Sequence, residues 1–445
     1  MSKKGLLIFA VLAITTLILS ACGGAAATPT PEQAAGGEAA TEAPAAAGGS
    51  TVTLWFHSGR GAERDALTEI LGNFADAHPE ITVDAVELPE GDYNQQVQAA
   101  AVANDLPCLL DFDGPFLYNY AWGGFLTPLD DYVSADMKSD FLPSIIDQGT
   151  YQDHLYSLGQ FDSGLAIWAR KSYLDAAGVR IPTLDEPWTR DEFDAALASL
   201  QALPEVEYAL DLKMNYGRGE WYTYAFSPIL QSFGGDLIDR STYETAEGVL
   251  NGPESVAAME MVQGWFQDGY VNPEPAGDTD FIDGTAALSW VGHWVAPDYI
   301  ENVGDDLLLL PFPDFGKGSK TGMGSWNWGI TSSCPNPDDT WTVLDFMLQP
   351  EQILIMTNAN GAVPARSSAI ANSELYAEGG LLRLFVQQLE GGYAVPRPIT
   401  PAYPTITTAF QEAFDNIKDG SNVQDELDGA VDQIDSDLEE NNFYQ

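Results

Sequence analysis

Polar and apolar positions alternate from Thr51 to Leu54 and continue apolar through Phe56, a strand pattern over 51–56 (TVTLWF). They then recur at helical spacing in Ala66, Leu67, Ile70, Leu71 and Phe74, until Pro79 stops the run. Alternation returns over 81–88, a helical pattern follows over 93–103, and an apolar strand pattern over 106–112 ends at Asp113-Gly114-Pro115. Strand, helix, strand, helix, strand in that order predicts a parallel sheet with helices on both faces. Such sheets bind ligands beyond the carboxyl ends of their strands, here residues 57–60 and 111–115.

A β-prone stretch, residues 158–171 (LGQFDSGLAIWARK), follows a hairpin-like arm at 151–158 and is interrupted by Gly159 and Gly164. Glycine in a strand marks a bend or a close approach to the backbone. The expectation is that the chain crosses here from one lobe to another, past a ligand cleft. Beyond it, 172–178 reads as a short helix capped by Gly178, and Thr189 with Glu192 forms a capping box opening the next helix. An aromatic-rich run occupies 221–231, a helix 255–268, strands 286–291 and 307–313, and a return strand 325–330. Helices at 341–348 and 351–358, a Pro-rich segment 397–404 and further helices complete the chain, without an internal repeat.

The N-terminus changes the picture of where the domain resides. Lys3 and Lys4 precede an apolar stretch, 5–19, that is short for a membrane span. It ends Leu19-Ser20-Ala21-Cys22, which resembles a bacterial lipobox with Cys22 as the lipidated residue. Residues 23–50 are almost entirely Ala, Gly, Thr, Pro and Glu without a large apolar side chain, the composition of a flexible tether. A folded domain lipid-anchored at the outer face of the cytoplasmic membrane, extracellular or periplasmic, is expected.

With 445 residues the chain has room for two or three domains. Its 18 Lys+Arg against 66 Asp+Glu, a net charge of −48, argue against nucleic acid, which requires clustered positive charge. The acidity otherwise reads as solubility or a salty habitat. Export permits a disulfide between Cys108 and Cys334, although both settings suit buried free thiols and the pairing stays open. Four scattered His and no Cys-x-x-Cys give no zinc site, and no cofactor is implied.

No Gly-x-Ser-x-Gly occurs, and 316–322 lacks the spacing of a phosphate-binding loop. Among 66 carboxylates no pair is singled out for glycoside hydrolysis. Trp122, Trp221, Tyr222, Tyr224, Trp290, Trp294, Trp326 and Trp328, however, gather at segment ends, several beside Gly or Asn. Aromatic faces pack on the C–H faces of sugars, while Asp, Glu, Asn and Arg bond the hydroxyls. At about 1.5–3 kcal/mol for each charged hydrogen bond, three or four with ring burial reach the roughly −8 kcal/mol of micromolar binding.

An ordered set of segments resembles the extracellular solute-binding proteins of ABC importers, the group that includes the maltose binder. It comprises the first strand and helix, Gly124-Phe125-Leu126-Thr127-Pro128-Leu129, the 158–171 stretch leading to Tyr173-Leu174 and Ala177-Gly178, and residues 188–193. Ala286-Ala287-Leu288 through Gly292-His293-Trp294, Gly329-Ile330-Thr331-Ser332-Ser333 and Gly361-Ala362-Val363-Pro364-Ala365-Arg366 continue it. The resemblance spans residues 51–445. It implies an α/β, two-lobe periplasmic-binding-protein fold (type II-like), with lobes of 51–160 plus 327–370 and 163–324 plus 373–445. Hinges are implied near 158–165, 322–330 and 366–373.

Carried over by position, Trp294 matches a sugar-stacking tryptophan and Asp113 a loop carboxylate that bonds hydroxyls. Asp162 or Ser163 falls at a hinge carboxylate, and Trp221, Tyr222 and Tyr224 in an aromatic segment. His57, Arg60 and Glu63 would line the rim, Trp326 and Trp328 the hinge return, with Trp290 and Arg366 as further candidates. Thr407 stands where maltose binding uses an aromatic, so a maltodextrin in the same pose is not expected. The implied function is capture of a carbohydrate by hinge closure of a monomer, without catalysis, and delivery to membrane permease subunits. The alternatives are a secreted glycan-active enzyme and a binder of polyamines or peptides. Asp162→Ala is expected to weaken binding more than stability.

Overall fold

The alternating stretch behind the tether forms β1 (Ser50–His57), the helical pattern α1 (Gly61–Ala77), and the next elements are β2 (Ile81–Leu88), α2 (Tyr93–Ala103) and β3 (Leu109–Asp113). This computed structural model describes residues 49–445; the signal segment, Cys22 and nearly all of the tether lie outside the described residues. Further along come β4 (Ser157–Leu158), β5 (Leu165–Arg170), β6 (Tyr208–Asp211) and α3 (Glu220–Phe233). They are followed by β7 (Ala286–Gly292), α4 (Ala296–Val303), β8 (Leu307–Leu310), β9 (Trp326–Ile330), α5 (Pro350–Asn360) and α6 (Tyr403–Lys418).

The first lobe is built on a sheet ordered β2-β1-β3-β9-β4. β1 pairs in parallel with β2 and β3, as the strand–helix alternation requires, whereas β9 runs antiparallel to β3 and β4. α1 lays Ala66, Leu67, Ile70 and Phe74 against this sheet, and full burial of an aromatic such as Phe74 stabilises by about 1.5–3 kcal/mol. The β9–β3 ladder pairs Ile330 with Leu109, which brings the flanking residues Cys108 and Cys334 together as a disulfide. Cys108 is buried and Cys334 half-buried, so the settings that suited free thiols hold a bridge instead.

The second lobe is built on a sheet ordered β8-β5-β7-β6, with β5 antiparallel to β7 and β8 and β7 parallel to β6. β7 is buried along its whole length and β5 along all but its last residue. A strand covered on both faces is apolar without alternation. This lobe has its own hydrophobic core, separate from the clusters on the first sheet.

The 158–171 stretch is not one strand. After β4, in the first sheet, Phe161–Asp162 pairs with Val363–Pro364, and the chain then enters β5 in the second sheet. Both glycines sit where a side chain does not fit. A Cβ on Gly159 would lie 3.0 Å from the Trp326 carbonyl, and one on Gly164 2.7 Å from the Phe385 ring. A neighbouring ladder, Thr321–Met323 with Ala394–Pro396, lies just before β9 returns to the first sheet.

Candidate functional site

Between the lobes lies a cavity of about 350 Å³. The strand ends put its polar groups in place. β1 ends at His57, whose Nδ1 lies 2.5 Å from Asp111 and whose ring stacks on Trp326 at 3.6 Å. Burial alone would lower the His57 pKa, but the Asp111 charge and hydrogen bond, with Glu63 and Glu90, raise it to about 9. His57 is therefore a cation at neutral pH. Glu63, in the first turn of α1, accepts from Asn360 Nδ2 at 3.2 Å, and Asp113 stands at the end of β3. Glu90 and Asn94 complete this wall.

The facing wall comes largely from α3. Trp221 and Tyr224 are three residues apart and share a helix face toward the cavity, together with Glu220. Trp294 follows β7 and packs among Tyr216, Trp221 and Tyr224. Arg397, just beyond the Ala394–Pro396 strand, is buried against Asp113 and Glu220. Ser163 links the walls: its Oγ accepts from the Tyr224 hydroxyl at 2.8 Å and lies 3.0 Å from His293 Nε2. His293 Nδ1 faces the Asn360 carbonyl at 2.9 Å, so Nδ1 carries the proton and Nε2 accepts from Ser163. Burial lowers the His293 pKa to about 4, which keeps the ring neutral.

Nine of the residues expected from sequence line this cavity: His57, Arg60, Glu63, Asp113, Ser163, Trp221, Tyr224, Trp294 and Trp326. Five others do not. Tyr222 points to the opposite side of α3, against Phe414, with its hydroxyl toward Asp415. A helix turns side chains two positions apart away from each other, and the aromatic-rich run 221–231 carries no helical spacing that would separate Tyr222 from Tyr224 in advance. Trp290 is core, stacked on Phe312 at 3.6 Å and donating to the Ala225 carbonyl. Trp328 lies two residues deeper along β9 than Trp326, inside the first-lobe core. Asp162 is fully buried in the crossing, its Oδ1 accepting from the Ser163 and Gly324 amides at 2.7 and 3.0 Å. Arg366 braces the first lobe through Asp140 at 2.7 Å and the Leu348 carbonyl at 3.0 Å.

Sequence reading missed Glu90, Asn94, Tyr216, Glu220, His293 and Arg397. Arg397 offered one signal, a lone cation in a Pro-rich run of a chain poor in cations. Its partners Glu220 and Asp113 lie 177 and 284 residues away in sequence, so no local pattern joins them.

The family described as "Bacterial extracellular solute-binding protein" matches residues 60–353. The "Maltotriose-binding protein" of Pyrococcus abyssi is 21% identical over 377 residues, covering 82% of this chain and 77% of that protein. The "Uncharacterized lipoprotein in oleD 5'region" of Streptomyces antibioticus is 21% identical over 320 residues, 70% of this chain and 69% of that protein. Among solved structures, the GacH receptor of Streptomyces glaucescens, described unliganded and with acarbose and an acarbose homolog, superposes with a TM-score of 0.74 at 21% identity. That superposition covers 88% of this chain and 98% of the receptor.

Proposed function

Starting from the premise that the chain belongs to the bacterial extracellular solute-binding proteins, we propose that it captures a carbohydrate between its lobes and delivers it to an ABC permease, without catalysis. The observation that carries this reading is the cavity itself. Trp294, Trp221, Tyr224 and Trp326 offer aromatic surface for the C–H faces of a sugar, next to Asp113, Glu63, Asn94 and His57 for hydroxyls. Relatives named for maltotriose binding and for acarbose complexes support it. The moving bodies would be 51–160 plus 327–370 and 163–324 plus 373–445, with Ser163 at the crossing. Ligand contacts made only in the closed form would drive closure. Lipidation at Cys22 would hold a monomeric receptor at the outer membrane face, in line with the relative named a lipoprotein.

One observation favours a second reading, an amine-bearing solute. Glu63 and Glu90 line the cavity; among the described residues Glu63 has only the more distant His57 Nε2, at 3.9 Å, as a cationic neighbour, and Glu90 has no Lys, Arg or His within salt-bridge distance. Thermal unfolding against a panel of mono- and oligosaccharides, polyols and polyamines separates the two. A solute at 100 times its dissociation constant adds about 2.7 kcal/mol of stability. A shift with polyamines and none with any carbohydrate would replace the sugar reading.

A further inference from the structure

Arg60 lines the cavity, yet both of its terminal nitrogens are engaged across the cleft. It sits on the first lobe, at the N-terminal end of α1. Nη1 bonds Asp278 Oδ2 at 2.8 Å and Nη2 bonds Asp298 Oδ2 at 2.5 Å, and both carboxylates belong to the second lobe. Asp298 lies in the first turn of α4, and Asp278 in the segment leading to β7.

Asp278 is anchored from its own side. Lys213, entirely buried, sets Nζ 2.8 Å from Asp278 and 2.7 Å from Asp211. The Tyr216 hydroxyl reaches the same Asp278 Oδ2 that Arg60 holds, at 3.4 Å. Trp294 Nε1 in turn donates to the Tyr216 hydroxyl at 3.0 Å. A continuous polar path therefore runs from Arg60 on one lobe, through Asp278 and Tyr216, to the indole of Trp294 on the other. The donor directions agree along it: Trp294 gives to Tyr216, Tyr216 to Asp278, and Arg60 to Asp278.

We propose that Arg60 is a positioning residue, which latches the lobes through Asp278 and Asp298 and thereby sets the orientation of Trp294, rather than contacting the solute. Its consequence is that the cleft closes partly on its own charges, before a solute arrives. The Arg60 contacts lie at a partly exposed rim, where salt screens them: the Debye length falls from about 30 Å at about 0.01 M salt to about 3 Å at about 1 M. Trp294, by contrast, contacts its neighbours through rings and one uncharged hydrogen bond. Salt therefore acts on the latch and reaches Trp294 only through it. This role rests on the capture reading of the cleft but not on the solute being a sugar.

The test uses the full chain without ligand. Small-angle scattering at about 0.01 M and about 1 M salt reads closure. Incorporated 5-fluorotryptophan, with the Trp294→Phe variant assigning the resonance, reads the indole by fluorine NMR. The expected result is a smaller radius of gyration at low salt, and a Trp294 resonance that moves with salt. Arg60→Ala should expand the protein at low salt, abolish both salt responses, and leave the melting temperature close to that of the parent. Arg60→Lys should recover part of each response, since it restores the charge without the two-pronged geometry. Asp298→Asn, at a half-exposed position, should reduce the responses without touching the Asp278 path to Trp294. Unchanged radius and unchanged Trp294 resonance in Arg60→Ala would overturn the proposal. A radius that changes while the resonance stays fixed would overturn the positioning role. Neither readout contains a ligand, so failure of the carbohydrate assignment is scored separately, by the thermal panel.

Discussion

Arg397 grips Asp113 with two parallel hydrogen bonds, Nη1 to Oδ2 and Nη2 to Oδ1, each 2.6 Å long. Nη1 also bonds Glu220 Oε2 at 2.7 Å, the Tyr403 hydroxyl donates to that same oxygen, and the Tyr224 ring lies 4.8 Å from the guanidinium carbon. Asp113 thus has two tasks: it faces the cavity and it neutralises a buried cation. Removing one partner of a buried pair leaves the other uncompensated, at about 3–5 kcal/mol. Arg397→Met, which strands both Asp113 and Glu220, is therefore expected to lower the stability of the ligand-free protein by about that amount in denaturant unfolding. The double variant Arg397→Met/Asp113→Leu should cost clearly less than the sum of the two single changes. Strict additivity would mean that the pair is not coupled.

Asp162 invites the opposite of what its sequence position suggested. Its carboxylate is fully buried, takes two backbone N–H donors and does not line the cavity. Burial raises its pKa, so the ionised form is disfavoured in the folded state. Asp162→Ala should lose about 1–3 kcal/mol of stability by orphaning the Ser163 and Gly324 amides, with ligand affinity changing less. Asp162→Asn keeps an acceptor oxygen in place without a buried charge, and its unfolding midpoint should stay near that of the parent. A large affinity loss in Asp162→Asn at unchanged stability would return this residue to the ligand site.

Two buried histidines contribute opposite limbs to the pH dependence of stability, one falling above about pH 6.5 and one below it. The folded-state pKa of His57 is raised to about 9, chiefly because the Asp111 charge outweighs the opposing effect of burial. A raised folded pKa means that the stabilisation is fully present below the unfolded value near 6.5 and is lost as pH rises to about 9. The loss is on the order of 3 kcal/mol. His293 has its pKa lowered to about 4 by burial, so its contribution is present above about 6.5 and is lost as pH falls through 4. Unfolding free energies measured from pH 4 to 9 should show both limbs. His57→Gln should flatten the alkaline one and His293→Gln the acid one. An alkaline limb that persists in His57→Gln would assign it to another group.

Much of the scaffold was legible because periodicity and burial agree there. Ile81–Leu88 and Tyr93–Ala103 fall where alternation and helical spacing put them, and the Thr189–Glu192 capping box forms as read. The nine cavity residues anticipated from sequence lie mostly at strand ends or in the aromatic run, where a parallel-sheet argument looks for them. What failed was side-chain direction. Tyr222 and Tyr224 look equivalent in sequence, but a helix separates them. Trp290 looks like Trp294, but β7 is buried on both faces until Gly292 ends it. Arg397 and Glu220 were invisible because a buried ion pair depends on which distant segments meet, and neither residue carries a local pattern.

The charge around the cavity sets which solutes fit. Each cation in its lining is already paired: His57 with Asp111, Arg60 with Asp278 and Asp298, Arg218 with Asp415, and Arg397 with Asp113 and Glu220. Glu63 and Glu90 face the same space without a Lys or Arg partner among the described residues. A solute carboxylate would find no free cation and would meet the carboxyls of Glu63, which lies 3.9 Å from His57 Nε2, and of Glu90, whose pKa burial raises. At about 4 Å such a contact costs roughly 1 kcal/mol in water and about 4 kcal/mol in a partly screened site. Tenfold in affinity corresponds to about 1.4 kcal/mol. For any neutral sugar that binds, the matching uronic acid is therefore expected to bind at least about tenfold more weakly, and the matching amino sugar equally well or more tightly. Titration calorimetry of such triplets at low and high salt reads this directly. The penalty against the uronate should shrink as salt rises, and Glu63→Gln with Glu90→Gln should reduce it further. A uronate that binds as tightly as its neutral parent would require an unpaired cation in the cleft, and so the release of one of these four cations from its carboxylate partners.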